Sequence, residues 1–230
     1  MQLHAIAEGV YEVTSEFNIG PGMRLPVRAT LLALASGDLV LVSPVAFDED
    51  TQRAIDAKGR VAHIVAPNTF HHLFLKGAME RWPSAKVHGA RGLAKKRPDL
   101  VMHAVFGDDR FPFGADVECV LVGGMPSFNE VVLFHCASRT LVVTDLIFNF
   151  GGSANARGFL APLALTVFGT RGRLAQSRLF LSAVKDREAF VKSGREIMAL
   201  DFDRLVVAHG ETIDAGAKPR VEQALYRMLS

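Results

Sequence analysis

The segment Ile64-Val65-Ala66-Pro67-Asn68-Thr69-Phe70-His71-His72-Leu73-Phe74 changes character twice. The apolar run Val61 to Ala66 has the composition of a buried strand. Pro67-Asn68-Thr69 interrupts it, and from Phe70 to Arg81 the apolar residues return at helical spacing. Two adjacent histidines therefore stand where a strand hands over to a helix. In α/β proteins the space beyond the carboxyl end of a strand is where ligands bind. The start of a helix also disfavours an imidazolium, which keeps both rings neutral and able to hold a metal.

Upstream, short β signals run over Leu3–Ala7, Val10–Thr14, Ala29–Ala35 and Leu39–Ser43, with a turn at Ser36-Gly37-Asp38. Gly20-Pro21-Gly22 reads as a loop or plain turn. A helix from about Asp50 to Lys58 precedes the central strand, and Trp82-Pro83 ends the helix after it. Further on come a short strand Lys86–His88 and a short helix Arg91–Arg97. The β pattern then restarts with Val117–Val122, Glu130–Phe134 and Thr140–Thr144. A helix Asp186–Leu200, a strand Arg204–Val207 and a helix Pro219–Leu229 follow.

Each half thus places strands first and helix-strand-helix after. That order predicts an α/β fold, a four-layer αββα sandwich in one domain spanning 1–230, with halves of about 1–115 and 116–230. Residues 149–185 break the pattern and predict a helical insertion, forming a wall of the site or a homodimer interface. The insertion holds no acidic residue but carries Arg157, Arg171, Arg173 and Arg178, whose planar forks suit an anionic group.

A chain of 230 residues with 49% hydrophobic content can bury a large core. Its 26 Lys and Arg against 24 Asp and Glu give no field that would select nucleic acid. Cys119 and Cys136 lie in apolar runs outside any metal spacing, as buried cysteines in a reducing compartment do. No signal-peptide pattern opens the chain. The longest apolar stretch, Phe159 to Phe168, is interrupted by Pro162 and is about half the ~20 residues of a membrane span. A cytoplasmic protein with no membrane span is expected.

Three strand ends carry residues suited to chemistry: His71 and His72 after Ala66, Asp145 after Thr144, and His209 after Val207. Imidazoles with a carboxylate suit zinc, with iron or manganese as alternatives. An even-length turn around Ala137-Ser138 pairs residue 135 with 140 and hence Glu130 with Asp145, two carboxylates that need a cation or a shared proton between them. An odd-length turn or a bulge would point Glu130 elsewhere. Asn68 and Thr69 are open to ligand binding or to a helix cap.

In order along the chain, the β-rich start, the turn with His71-His72, Leu141-Val142-Val143-Thr144-Asp145 and Val206-Val207-Ala208-His209-Gly210 resemble the metallo-β-lactamase-fold superfamily, in a divergent branch of it. The superfamily's His-x-His-x-Asp-His motif falls on Pro67, Thr69, His71 and His72, and its later Gly-His pair falls near Gly123-Gly124-Met125. One of the two metal sites is thereby lost. The resemblance implies one divalent transition metal on His72, Asp145 and His209, with His71 in the aspartate's place and Glu130 as a further carboxylate. His71, or Glu130 if His71 is a ligand, is then the general base.

The reading that follows is a mononuclear metal-dependent hydrolase of a small ester, thioester or related acyl substrate. Arg157, Arg171 and Arg173, with Asn68 and Thr69, are its candidate substrate-binding residues. Two alternatives stay open: a non-catalytic binding or regulatory protein, and a mononuclear iron oxidoreductase.

Overall fold

A computed structural model describes residues 1–20, 22–108, 113–151 and 156–229. The first sheet holds β1 (Leu3–Ala7), β2 (Val10–Gly20), β3 (Met23–Ala33), β4 (Asp38–Val42), β5 (Arg60–Ala66), β6 (Lys86–Gly89) and β7 (Ala104–Val105) in sequence order. Its strands are antiparallel up to β4 and parallel from β4 onward. Helices α1 (Glu49–Asp56), α2 (Leu75–Arg81) and α3 (Leu93–Lys96) connect the parallel strands. The second sheet combines β8 (Val117–Leu121), β9 (Val131–His135) and β10 (Thr140–Val143) with a later strand. A small pair, β11 (Phe148–Asn149) and β12 (Leu174–Ala175), frames α4 (Ala161–Phe168). The chain then runs through α5 (Arg178–Ser182), α6 (Arg187–Ala199), β13 (Arg204–Val207), which pairs in parallel with β10, and finally α7 (Ala217–Ala224) and α8 (Tyr226–Leu229).

Strand alternation builds the layers. On β4, Val40 and Val42 face Val131, Leu133 and Val142 of the other sheet, while Leu39 and Leu41 face the helices behind. Beyond the second sheet, Val132, Phe134 and Leu205 pack on Phe190 and Ile197 of α6. Successive side chains of a strand point to opposite faces, so each strand buried on both sides reads as a continuous apolar run. The result is the expected αββα sandwich.

Two elements differ from the sequence reading. The hairpin β2–β3 is far longer than Val10–Thr14 and Ala29–Ala35, with Val10 opposite Leu32 and Asn18 opposite Arg24. Its outer half alternates exposed and covered residues and contains Pro26, which weakens the β signal because one face is left to solvent. The helix expected from Phe70 starts only at Leu75. Asn68 takes the backbone N–H groups of Phe70 and His71 on its side-chain oxygen, so the chain turns before it coils. The helix-start argument for His71 and His72 therefore does not apply.

Candidate metal centre

Two parallel pairs, β4 with β5 in the first sheet and β10 with β13 in the second, deliver Ser43, the Asn68–His72 turn, Asp145 and His209 to one place. His71, Asp145 and His209 converge there. His71 Nε2 lies 3.2 Å from His209 Nε2 and 3.5 Å from Asp145 Oδ2, and His209 Nε2 lies 3.4 Å from Asp145 Oδ1. Bonds of about 2.0–2.1 Å to a tetrahedral metal put donor atoms about 3.3–3.4 Å apart. The separations here are of that size, with one Asp145 oxygen facing each ring. Among the described residues it is the one group of three or more His, Cys, Asp or Glu with metal-holding geometry.

The surroundings set the tautomers. His209 Nδ1 is 2.8 Å from the Pro26 carbonyl, which can only accept, so Nδ1 carries the proton and Nε2 presents its lone pair. His71 Nδ1 is 2.6 Å from Ser43 Oγ, which can take the same part. A second oxygen partner on each ring is how proteins orient imidazoles toward a metal. Phe148 stacks on His209 with ring planes 11° apart. Buried Arg28 reaches from β3 to the Val207 and Gly210 carbonyls, the latter at 2.8 Å, and fixes the end of β13 from both sides of His209.

Behind the cluster the expected register holds, with His135 opposite Thr140. The pairing ends at Val142 opposite Leu133, short of Glu130 and Asp145, and the Glu130 side chain instead reaches the backbone that leads into Asp145, so no bare carboxylate pair results. Glu130 is fully buried and accepts from the backbone N–H groups of Thr144 at 2.8 Å and Asp145 at 2.9 Å. Asn68 Nδ2 sits between the two acids, 2.8 Å from Asp145 Oδ2 and 3.4 Å from Glu130 Oε2. Burial, and then the charge of Asp145, push the Glu130 carboxyl above its ordinary range. Burial also works to raise Asp145, but the flanking His71 and His209 rings outweigh it and hold that carboxyl low.

Several expected site residues stand elsewhere. His72, the expected ligand, is turned away: its Nδ1 lies 3.0 Å from Arg97 Nη1, and burial followed by Lys96 and Arg97 lowers its pKa. His71, in the aspartate's place, supplies the ring instead, because neighbours in a turn diverge. Glu130, expected as a ligand or base, is sealed behind Asp145 by the amides it holds. Asn68 is wholly buried and serves as both turn cap and carboxylate partner, and Thr69 donates to the Ser127 carbonyl, so neither faces a substrate. Arg157 pairs with Glu16 on the surface, while Arg171 contacts Thr166 Oγ1 and Arg173 folds onto the Gly169 carbonyl. Ser43 and Arg28 escaped the sequence reading. Ser43 carries one faint signal, a hydroxyl between a strand end and Pro44.

Gly124 has φ +77°, and a Cβ there would come within 2.0 Å of the Asp186 carbonyl, so the backbone packs closely there only because the residue is glycine.

A cavity of about 370 Å³ opens from the cluster, walled by β2–β3, the turn after β5 and the segment from Phe148 to Phe180. Eight of the chain's 16 phenylalanines line it, Phe17, Phe74 and Phe128 among them. Among the described residues its titratable lining groups are His71, Asp145 and His209, with no Lys or Arg. Residues 149–185 thus wall the cavity as expected, with apolar side chains in place of the arginines. No helix among the described residues is long and apolar enough to cross a membrane.

No curated protein matches the sequence. Among solved structures, a metallo-β-lactamase from Pontibacter korlensis is 16% identical with a TM-score of 0.66, covering 99% of this chain and 98% of its own. One from Pseudomonas aeruginosa in its mono-zinc form is 13% identical at 0.65, covering 100% and 96%. One from Erythrobacter litoralis, with β-mercaptoethanol in the active site, is 18% identical at 0.65, covering 99% and 93%. Residues 9–172 match the family described as Domain of unknown function (DUF4336), so the chain belongs to that family and carries the metallo-β-lactamase fold.

Proposed function

We propose that this protein is a metal-dependent hydrolase of neutral, apolar acyl compounds, esters or thioesters, working with one metal ion on His71, Asp145 and His209. One observation carries the reading: two imidazoles and a carboxylate, close enough together to hold one ion, open onto a phenylalanine-lined cavity. Zinc fits two imidazoles and a carboxylate with a position left open. A metal bound there would supply Lewis acidity to the acyl carbonyl and a lowered pKa to a water.

The chain's own residues do the rest. Phenylalanine walls exclude bulk water and seat the apolar acyl group, and the Pro26 and Ser43 oxygens hold the two rings in place. All three titratable groups among the described lining residues are metal ligands in this reading, so the proton of the attacking water passes to the departing alcohol or thiol. The water oxygen bonds the acyl carbon, the carbon–oxygen or carbon–sulfur bond breaks, and the alcohol or thiol leaves with a proton. Withdrawn from general-base duty are His71, as a ligand, and Glu130, as a buried brace. With no Lys or Arg among the described lining residues, the substrate reading turns from anionic to neutral.

A second reading has its own support. Two histidines and one carboxylate are also the donor set of non-haem iron oxygenases. Protein purified without chelator and analysed for metal separates the two. About one zinc per chain, with chelator-sensitive hydrolysis of a hydrophobic thioester or ester, is the expected result. Iron with a redox-sensitive absorption band and no hydrolysis would favour the alternative.

A further inference from the structure

The exposed apolar side chains are concentrated in one region. Among the described residues twelve large hydrophobics are exposed, and eight belong to three segments around the cavity. Ile19 is at the tip of the β2–β3 hairpin, Phe70 and Leu73 are in the turn after β5, and Phe159, Leu160, Leu163, Val167 and Leu179 are in the insertion. Ile19, Phe70, Leu73 and Leu179 are exposed and line the cavity as well, so they form its lip. The segments touch. Leu160 N–H donates to the Gly22 carbonyl, Phe159 covers Gly22 where any Cβ would collide with its ring, and Phe17 meets Phe74 edge to face.

Helix α4 is the least water-adapted element. Its inner side gives Leu165 and Phe168 to the cavity, yet its outer side shows Leu163 at 65% and Val167 at 57% exposure, and it bears no charge. A helix apolar on both sides in a soluble fold marks an interaction surface.

Charge identifies the partner. No Asp or Glu occurs between Asp145 and Asp186. Arg171, Arg173 and Arg178 are held at the end of α4 by Thr166 Oγ1 and by the Gly169 and Val167 carbonyls, contacts that orient guanidinium groups without neutralising them. Lys96 lies over the Phe70 ring, 4.6 Å from its centroid. An apolar lip bordered by cations is the pattern of a surface that lies on an anionic bilayer. A second copy on the same face would set arginine against arginine, with Glu16 already paired to Arg24 and Arg157.

We infer that the lip of the cavity, with the outer face of α4 at its centre, docks on an anionic phospholipid surface, and that the acyl substrate enters the cavity from the lipid. The second clause rests on the hydrolase reading above; the docking does not.

The test is co-sedimentation of the full chain with vesicles of phosphatidylcholine alone and of phosphatidylcholine with about 30% phosphatidylserine. The expected result is binding to the anionic vesicles, weakened by salt, and lowered at least about tenfold by Leu163→Glu combined with Val167→Glu. Neither residue lines the cavity, so the double variant keeps its circular dichroism, its melting temperature and its turnover of a soluble short-chain thioester. No binding to anionic vesicles by the wild type would overturn docking, even if the soluble thioester is cleaved. So would a wild-type dimer in sedimentation that the double substitution dissolves while vesicles go unbound. Vesicle binding with no turnover of any acyl substrate would uphold docking and overturn the substrate clause.

Discussion

Two pairs of imidazoles meet closely among the described residues, and one of them has a third donor beside it. His71 Nε2 and His209 Nε2 are 3.2 Å apart, and His63 Nδ1 and His88 Nε2 are 3.0 Å apart. The second pair bridges the neighbouring parallel strands β5 and β6 in the interior, with Phe113 edge-on to both rings. Among the described residues no third His, Cys, Asp or Glu donor joins it. The first pair has Asp145 as a third donor, an oxygen behind each ring, and a cavity in front. Proximity of two histidines is therefore an ordinary product of strand pairing. A third donor, fixed tautomers and access convert it into a candidate metal centre.

The largest expected difference between the pairs is in metal content. His209→Ala takes bound metal from about one per chain to none, whereas His63→Ala leaves it unchanged. His72→Ala retains the metal too, because that ring faces Arg97. Elemental analysis after gel filtration reads all three. Loss of metal in the His72 variant with retention in a His71→Ala variant would break the assignment of the first pair.

A smaller effect sharpens what lies behind that pair. Glu130→Gln keeps size but turns an N–H toward one of the two backbone N–H groups that the carboxylate now accepts. We expect metal affinity to fall roughly ten- to a hundredfold, the range for a group that orients a ligand. Unfolding free energy should drop about 1–3 kcal/mol as one buried amide loses its acceptor. Affinity measured with a competing chelator, beside urea unfolding of the metal-free protein, separates the two effects. Unchanged affinity would show that Asp145 needs no support from below.

What could be read from the sequence follows from how local each signal is. The sandwich was legible because its buried strands are apolar runs ended by turn residues, and Arg204–Val207 was placed to the residue. Asp145 and His209 were legible as polar residues directly after such runs. Which of His71 and His72 faces Asp145 was not, because the turn is set by the Phe70 and His71 N–H groups donating to the Asn68 side-chain oxygen, and the apolar spacing of Phe70 to Arg81 imitates a helix. The function of Asn68 itself depends on Thr144 and Asp145, 76 and 77 positions away. Ser43 and Arg28 belong to the same class: they matter for what they touch across the sheet, and nothing near them in the chain announces it. The arginines of the insertion were visible, but composition cannot say toward which side of a wall a side chain points.

The smallest expected effect concerns the His63–His88 pair. Burial lowers the pKa of His63, partly offset by the charge of Asp38 and reinforced by Lys86 and Arg60, with His88 on its inner side. In the unfolded chain the ring has its ordinary pKa of about 6.5. As pH falls through that value the unfolded state takes up a proton that the folded state resists, so stability declines on the acid side. His63→Gln removes this cost while an amide can still donate to His88. The urea midpoint of the variant should therefore change less between about pH 7.5 and about pH 5.5 than that of the wild type, both measured without metal so that the first pair stays out of the comparison. His63 is only half-buried, and water screening keeps the difference modest. Equal slopes would mean that the His63–His88 pair accepts a proton between its rings at no cost, and the two pairs would then differ in access and third donor alone.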